Sequence, residues 1–198
     1  MNIFLFCRIL LTKIRRASIN NSPSIICNTC LAGFLYHDFG LRFNSPTINL
    51  MINAYDYNRF LEYILNKQDL TDIVEYQDPS ANCPCGILNG DVLIAFAHYH
   101  SFEEAKAKWL ERAKRIDYDN LRVIYCQTSV REDIIRQFDA LPFKHKVALV
   151  NKPLPDVKSA FVIKGFEKED KLGYIFKKYR WYGFNHYDQF GWIKFLRK

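Results

Sequence analysis

The sequence is poor in glycine and proline, and it has no apolar run long enough to cross a membrane. Its 198 residues include 8 Gly and 7 Pro, too few for a collagenous or low-complexity chain. The longest apolar run, at 92–97, has the length of a strand, far below the ~18–20 residues of a transmembrane helix. The sequence also lacks a glycine-rich phosphate loop, a paired-carboxylate motif and a G-x-S-x-G elbow. The commonest signatures of nucleotide binding and of serine hydrolases are therefore missing.

The residues that are present are those of an ordinary globular domain, but their charge is unevenly distributed. Hydrophobic residues make up 49% of the chain and charged residues 25%, which fits a packed core and not a disordered or coiled-coil chain. The formal net charge is +7, yet the bases collect over 1–16 and 171–198, and the region between is acidic in balance. A nucleic-acid groove needs bases along one continuous face. We therefore do not expect nucleic acid as a partner.

Residues 3–16 predict a basic amphipathic helix. Arg8 interrupts the apolar start of the chain and further bases follow it, which is the reverse of the order in a secretory signal. Such a helix can lie on an anionic membrane surface or dock on the rest of the protein; we favour docking, because one short helix binds lipid only weakly. We expect a cytoplasmic protein with reduced cysteines. The alternative location is the inner face of the membrane, to which this helix would attach the protein. The chain then divides into the helix, at 1–19, and a single domain, at 20–198.

Hydrophobic periodicity alternates between strand and helix along the domain. The clearest helix follows a Ser-x-x-Glu capping box that begins at Ser101, and a second such box begins at Ser129. The strand, helix and strand over 121–150 form a unit whose two strands pair in parallel. We predict strands at 24–27, 91–97, 121–126, 146–150 and 160–164, a turn-rich patch at 78–89, and helices at 31–39, 56–66, 102–116, after the second box, at 168–180 and at 187–197.

These elements predict an α/β fold, namely a single three-layer domain with a mixed, mainly parallel sheet and the amphipathic helix at its N-terminus. In open α/β sheets, ligands bind beyond the carboxyl ends of the strands. Cys30 and His98 both occupy such positions, one after the strand at 24–27 and the other after the strand at 91–97. The sequence therefore predicts that these two side chains lie at the ligand-binding site.

Cys30 and His98 predict a nucleophile and its general base. A helix dipole lowers the pKa of a thiol at the helix N-terminus, which would favour the thiolate of Cys30. The alternatives are that Cys30 is a small buried apolar residue and that His98 is bonded to backbone at a strand end. His100 is the reserve base, if the strand continues that far.

The remaining thiols and the aromatic residues leave further alternatives open. Cys27-x-x-Cys30 together with Cys83-x-Cys85 could supply a zinc site, but the second pair has a single intervening residue. Cys27-x-x-Cys30 could also be a redox pair, although Asn-Thr is an unusual spacer. Aromatic residues crowd the segment 174–195, and aromatic faces suit both a core and a sugar ring. We predict neither a metal site nor a cofactor.

A set of motifs carries a resemblance to a known family. The most specific is F-A-H-Y-H-S at 96–101, which leads into an E-A-x-x-K-W helix start at 104–109. Further matches are the segment 25–30, Gly33, Tyr36, Gly40-Leu41, Ser45-Pro46, Pro84, Gly86, Arg112, Arg115-Ile116, Tyr187-Asp188 and Trp192-Ile193. From about residue 20 onward the chain resembles the DUF1919 family, whose members are bacterial proteins often labelled as exopolysaccharide or capsule biosynthesis proteins.

The resemblance implies a pathway and offers two classes of function. The first is an acyl transferase or hydrolase that acts on a sugar-linked or lipid-linked substrate. Cys30 would be its nucleophile and His98 its base, with Asn28 or Asn120 as a polar orienter or oxyanion donor. The second is a non-catalytic, sugar-binding or membrane-apposed accessory protein, in which Cys30 only packs. The substrate-binding residues expected beside the pair are Tyr99, His100, Ser101 and Asn120. The family usually has a non-thiol where this chain has Cys27, which weakens the zinc and redox alternatives.

Overall fold

The computed structural model describes residues 3–179 and 184–197 of the chain. It is an α/β structure with two four-stranded sheets. The helices are α1 (Ile3–Ser18), α2 (Leu31–Phe39), α3 (Ala54–Leu65), α4 (Phe102–Ala113), α5 (Glu132–Ala140) and α6 (Trp192–Leu196). The strands are β1 (Ser24–Cys27), β2 (Met51–Ile52), β3 (Ile73–Tyr76), β4 (Cys85–Leu88), β5 (Val92–Ala95), β6 (Leu121–Cys126), β7 (Lys146–Val150) and β8 (Ala160–Val162).

The first sheet is parallel and has the strand order β1-β6-β7-β8. Its register sets Cys27 opposite Ile124, and β6 connects to β7 through α5. The predicted parallel unit over 121–150 is therefore confirmed. Strands buried on both faces are continuous apolar runs, and Ile25 and Ile26 of β1 are both fully buried.

The second sheet is antiparallel and has the order β2-β5-β4-β3. The predicted strand at 91–97 is present as the shorter β5, but it lies in this sheet and not beside the parallel strands. Asn89 and Gly90 have φ of 50° and 83° in the turn from β4 to β5, the left-handed conformation that tight hairpins require. The interval 78–89, predicted to be rich in turns, contains β4. Two sheets therefore replace the single mixed sheet, within the predicted α/β class.

Alternate residues of the parallel strands face two different apolar clusters, as expected for a pleated strand. Ile26 and Val123 belong to a cluster formed with α3, α4, α5 and the antiparallel sheet. Ile25 and Ile124 belong to a second cluster, formed with α2 and with Trp192 near the C-terminus. The parallel sheet is thus the central layer of the fold.

Three predicted features differ in the structure. Residues 168–179 contain turns instead of a helix, and residue 180 lies outside the described residues. The helix expected at 187–197 is divided into a 3-10 helix at His186–Gln189 and the short α6. Ser129 does not cap α5, because Arg131 occupies the N-cap position and the Ser129 hydroxyl accepts a hydrogen bond from the Arg131 backbone N–H instead.

Helix α1 is docked on the domain through a buried arginine. The Arg15 guanidinium lies 2.7 Å from an Asp38 carboxylate oxygen and 2.6 Å from one of Asp188. The Tyr187 hydroxyl donates to Asp38 at 2.9 Å. The docked helix that the sequence favours is therefore confirmed. No helix in the described part of the chain has both the length and the apolarity to cross a membrane.

Candidate functional site

A cleft of about 500 Å³ lies at the carboxyl edge of the parallel sheet. It opens where β1 and β6 end, the position at which open α/β sheets bind ligands. Its walls come from the beginning of α2, Met51 of β2, the residues just after β5, the residues just after β6, and the segment 171–176. Cys30 and His98 both line it. The structure therefore brings these two predicted residues to one cavity.

Cys30 occupies the N-cap position of α2, but the pKa of its thiol is raised, where the sequence predicts a lowered one. It is 9% exposed, and its thiol donates to the Leu50 carbonyl oxygen at 3.6 Å. Burial raises the pKa of the Cys30 thiol to about 11, and the charge of the neighbouring Cys27 adds to the rise. The expectation of a lowered pKa is wrong because removal from water outweighs the helix dipole here.

His98 is exposed and lies three positions beyond the last residue of β5. Within the described residues its imidazole makes no hydrogen bond, whether to Cys30 or to backbone. The side chain can therefore turn toward a ligand in the cleft. His100 is also exposed and does not line this cleft.

Asn28 is a bridge between two strand ends. It is fully buried; its Nδ2 donates to the Cys126 carbonyl oxygen at 2.9 Å, and its Oδ1 accepts from the Cys126 backbone N–H at 2.8 Å. These two hydrogen bonds continue the pairing of β1 and β6 beyond the last paired residues, Cys27 and Ile124. The amide is therefore occupied in holding the edge of the cleft, instead of pointing into it as a polar orienter.

Tyr99 and Ser101 also serve the scaffold. The Tyr99 hydroxyl donates to the Ile48 carbonyl oxygen at 3.0 Å and accepts from Arg112 at 2.6 Å. The Ser101 hydroxyl accepts from the Glu104 backbone N–H at 3.2 Å, which confirms the predicted cap of α4. Neither residue lines the cleft. The structure thus uses their hydrogen-bonding groups to position the chain that carries His98.

Asn120 lies at the opposite edge of the parallel sheet. It immediately precedes β6, whereas Cys126 at the other end of that strand lines the cleft. Six strand residues span about 20 Å, so the structure does not bring Asn120 to Cys30. Asn120 is buried, and neither polar atom of its side chain has a hydrogen-bond partner among the described residues.

Cys126 is a member of the site that the sequence did not single out. Its sulfur lies 3.9 Å from that of Cys27, and both residues are buried. The hydrogen bond with Cys27, together with burial, holds the pKa of Cys126 well above its usual range. Across residues 3–179 and 184–197, no three or more His, Cys, Asp or Glu side chains form a group suited to a metal ion.

The polar wall of the cleft was missed, whereas Tyr174 and Phe176 of its aromatic wall belong to the aromatic segment that the sequence analysis singles out. Gln127 and Thr128 directly follow β6, so the rule that singled out Cys30 and His98 could have found them. The segment 171–176 closes the cleft, and the Leu172 backbone N–H donates to the Gln127 carbonyl oxygen at 3.2 Å. No local signal reveals this closure, because the contact joins residues 45 positions apart in the sequence.

Comparison with known proteins agrees with the resemblance in the sequence motifs. An uncharacterized protein of Haemophilus influenzae (strain ATCC 51907 / DSM 11121 / KW20 / Rd) is 39% identical over 184 residues, which cover 92% of this chain and 88% of that protein. The model of a family described as a domain of unknown function, DUF1919, matches residues 4–197. The chain therefore belongs to the DUF1919 family.

Proposed function

We propose that this protein binds a sugar-linked small molecule in the Cys30 cleft, as part of the assembly of a bacterial exopolysaccharide or capsule. One observation carries the proposal. The cleft combines exposed aromatic rings with uncommitted polar side chains, including the imidazole of His98 and the hydroxyl of Thr128. Such a wall suits a ligand that has an apolar ring face and a polar edge.

The aromatic wall is built from two segments that are far apart in the sequence. Phe34 of α2 stacks on Phe176, with ring centroids 4.3 Å apart, and Tyr174 meets Phe176 edge-on at 5.2 Å. Phe34 and Tyr174 are nevertheless 39% and 60% exposed. These rings are held in place by each other while keeping free surface for a ligand.

A neighbouring cleft favours a ligand longer than one sugar ring. It has a volume of about 520 Å³ and shares Met51 and Thr128 with the first cleft. It is lined further on by Tyr55 and Arg131. The two clefts together can seat an oligosaccharide, or a sugar with its lipid or nucleotide carrier. The pathway part of the proposal has one support, namely the resemblance to a family whose members are often labelled with surface-polysaccharide biosynthesis.

Titration by NMR or calorimetry against a panel of oligosaccharides and nucleotide sugars tests the binding proposal. We expect saturable binding that weakens about tenfold or more in Tyr174→Ala, because an exposed aromatic platform contributes on the order of 1–2 kcal/mol to binding. Tyr76→Ala is the matched control, since Tyr76 is an exposed tyrosine of β3 outside both clefts. Equal affinities for the two variants, or no saturable ligand in the panel, contradict the proposal.

Acyl transfer is the second candidate, because Cys30 and His98 line the same cavity. In that reaction the Cys30 sulfur attacks an acyl donor, His98 takes the thiol proton, and the donor's leaving group departs with a proton, which leaves a thioester. A second attack, by a sugar hydroxyl, releases the acyl sugar and restores the thiol. The raised pKa of Cys30 makes this the weaker candidate, because little thiolate is present near neutral pH.

Alkylation of the native protein across pH, with peptide mapping, separates the two candidates. With a pKa of about 11, we expect the alkylation rate of Cys30 to keep rising well above pH 9 and to be the same in His98→Ala. Cys83, which is more exposed than Cys30, provides the comparison within the same sample. Selective reaction of Cys30 below the free-thiol pKa of about 8.5, lost in His98→Ala, would establish the nucleophile and base instead.

A further inference from the structure

Helix α1 has a buried side and an exposed side of different chemistry. On the buried side Arg15 is only 4% exposed and is paired with Asp38 and Asp188. This ion pair fixes how the helix is rotated on the domain. On the other side Ile9, Leu10 and Ile14 are 41%, 48% and 49% exposed. The orientation of α1 that pairs Arg15 with these carboxylates therefore leaves three large apolar side chains exposed to water.

The exposed apolar residues share one face with cations. At about 100° per residue, Ile9, Leu10 and Ile14 fall within an arc of about 140°. Lys13 falls inside that arc and Arg16 at its border, and both are exposed. Arg15 points about 100° or more away from either edge of the arc, toward the domain. The exposed face thus combines a large apolar strip with positive charge.

The charge of this part of the chain indicates which kind of partner the exposed face of α1 binds. The exposed face carries the cations Lys13 and Arg16, and residues 1–16 contain no acid, so two copies of the face would repel each other. An anionic lipid surface attracts bases and accepts apolar side chains at the boundary between headgroups and acyl chains. We propose that the exposed face of α1 binds the surface of an anionic bilayer, with the helix axis parallel to the membrane and the domain held against it through Arg15.

This attachment is reversible and sensitive to salt. One short interfacial helix without a lipid anchor binds weakly, and attraction to headgroups decays over about 8 Å at physiological ionic strength. The binding does not require the sugar-linked ligand, so it is independent of the function proposed for the cleft.

Co-sedimentation of the full chain with vesicles tests the proposal. We expect binding to phosphatidylcholine vesicles that contain about 30 mol % phosphatidylglycerol, and at least about tenfold weaker partitioning to phosphatidylcholine alone. The variant Ile9→Gln/Leu10→Gln/Ile14→Gln is expected to lose about tenfold or more of the binding. Lys13→Gln/Arg16→Gln is expected to lose several-fold and to be less sensitive to salt.

The control removes exposed apolar surface elsewhere. Val74→Gln/Tyr76→Gln changes two residues of β3 that are 54% and 42% exposed and is expected to bind as the unchanged chain does. Circular dichroism and the unfolding midpoint show whether each variant is folded. Failure of the unchanged chain to bind anionic vesicles, or unchanged binding by the α1 triple variant, overturns the proposal. A concentration-dependent dimer that the triple variant abolishes would also overturn it, in favour of a second copy of the chain.

Discussion

Helices α2 and α4 are held in place in different ways. Helix α4 begins with a local cap, the hydroxyl of Ser101 accepting from the backbone N–H of Glu104. The N-cap residue of α2, Cys30, makes no side-chain cap hydrogen bond, and at the other end of the helix Asp38 pairs with Arg15 of α1. Helix α2 thus depends on an ion pair with another helix, whereas the start of α4 is fixed by a contact within four residues.

The largest expected effect comes from removing the distant anchor of α2. Arg15→Ala leaves the carboxylates of Asp38 and Asp188 buried without this cation, and breaking a buried ion pair costs about 3–5 kcal/mol. We expect a loss of that size in the free energy of unfolding by urea. Arg136→Ala is the control, because Arg136 pairs with carboxylates at the exposed surface, where pairs contribute about 1 kcal/mol or less. Similar losses in the two variants would show that α2 does not depend on Arg15.

The second largest effect is expected from Asn28, which joins the end of β1 to the backbone of Cys126 in β6. Asn28→Ala leaves the buried N–H and C=O of Cys126 without the side-chain partners they have now. We expect about 2–3 kcal/mol of lost stability, because each unsatisfied buried polar group costs about 1–3 kcal/mol. Asn44→Ala, which removes a single half-buried hydrogen bond to the Ser22 carbonyl oxygen, should cost about 1 kcal/mol or less. An Asn28 variant as stable as the Asn44 variant would contradict the structural role assigned to Asn28.

The smallest expected effect comes from the two capping-box serines. Ser101 caps α4, whereas Ser129 stands in a similar sequence but does not cap α5. Ser101→Ala should lower the free energy of unfolding by about 1 kcal/mol, and Ser101→Asp should retain most of it, since aspartate is also a good N-cap. Ser129→Ala should cost less than about 0.5 kcal/mol, because Ser129 only bonds the backbone N–H two residues on. Thermal and urea unfolding of the three variants provide the measurement. If Ser101→Ala and Ser129→Ala lowered the free energy of unfolding equally, the conclusion that Ser101 alone of the two caps its helix would be wrong.

The fold was predictable where a local pattern coincides with burial. The bounds predicted for β1, β6 and β7 match the structure because each strand is mostly apolar and lies in the central layer. The helix predicted at 168–180 is wrong because Leu172 and Ile175 are spaced like helical residues, while both are buried through turns bonded to a distant loop. The antiparallel sheet was missed because its strands are short and the hairpin residues dominate the pattern around them.

The site was predictable in position but not in chemistry. The rule on the ends of parallel strands holds for Cys30, which follows β1, whereas His98 lines the same cleft although β5 lies in the antiparallel sheet. The rule could not give the raised pKa of Cys30, since burial of the thiol and the charge of Cys27 beside it both depend on the tertiary structure. The family resemblance likewise implies a chemical role for Asn28, whereas its two hydrogen bonds to Cys126 make it part of the sheet.

The ion pair of Arg15 also determines the order in which the protein can be completed. Arg15 and Asp188 are separated by 173 positions. At a synthesis rate of roughly 5–20 residues per second, Arg15 waits about 9–35 s for this partner during translation. In that interval Arg15 can pair only with Asp38, which lies 23 positions away in the sequence. The docking of α1 on both carboxylates is thus completed late in folding, and it gives a basic, apolar segment a buried side and an exposed side.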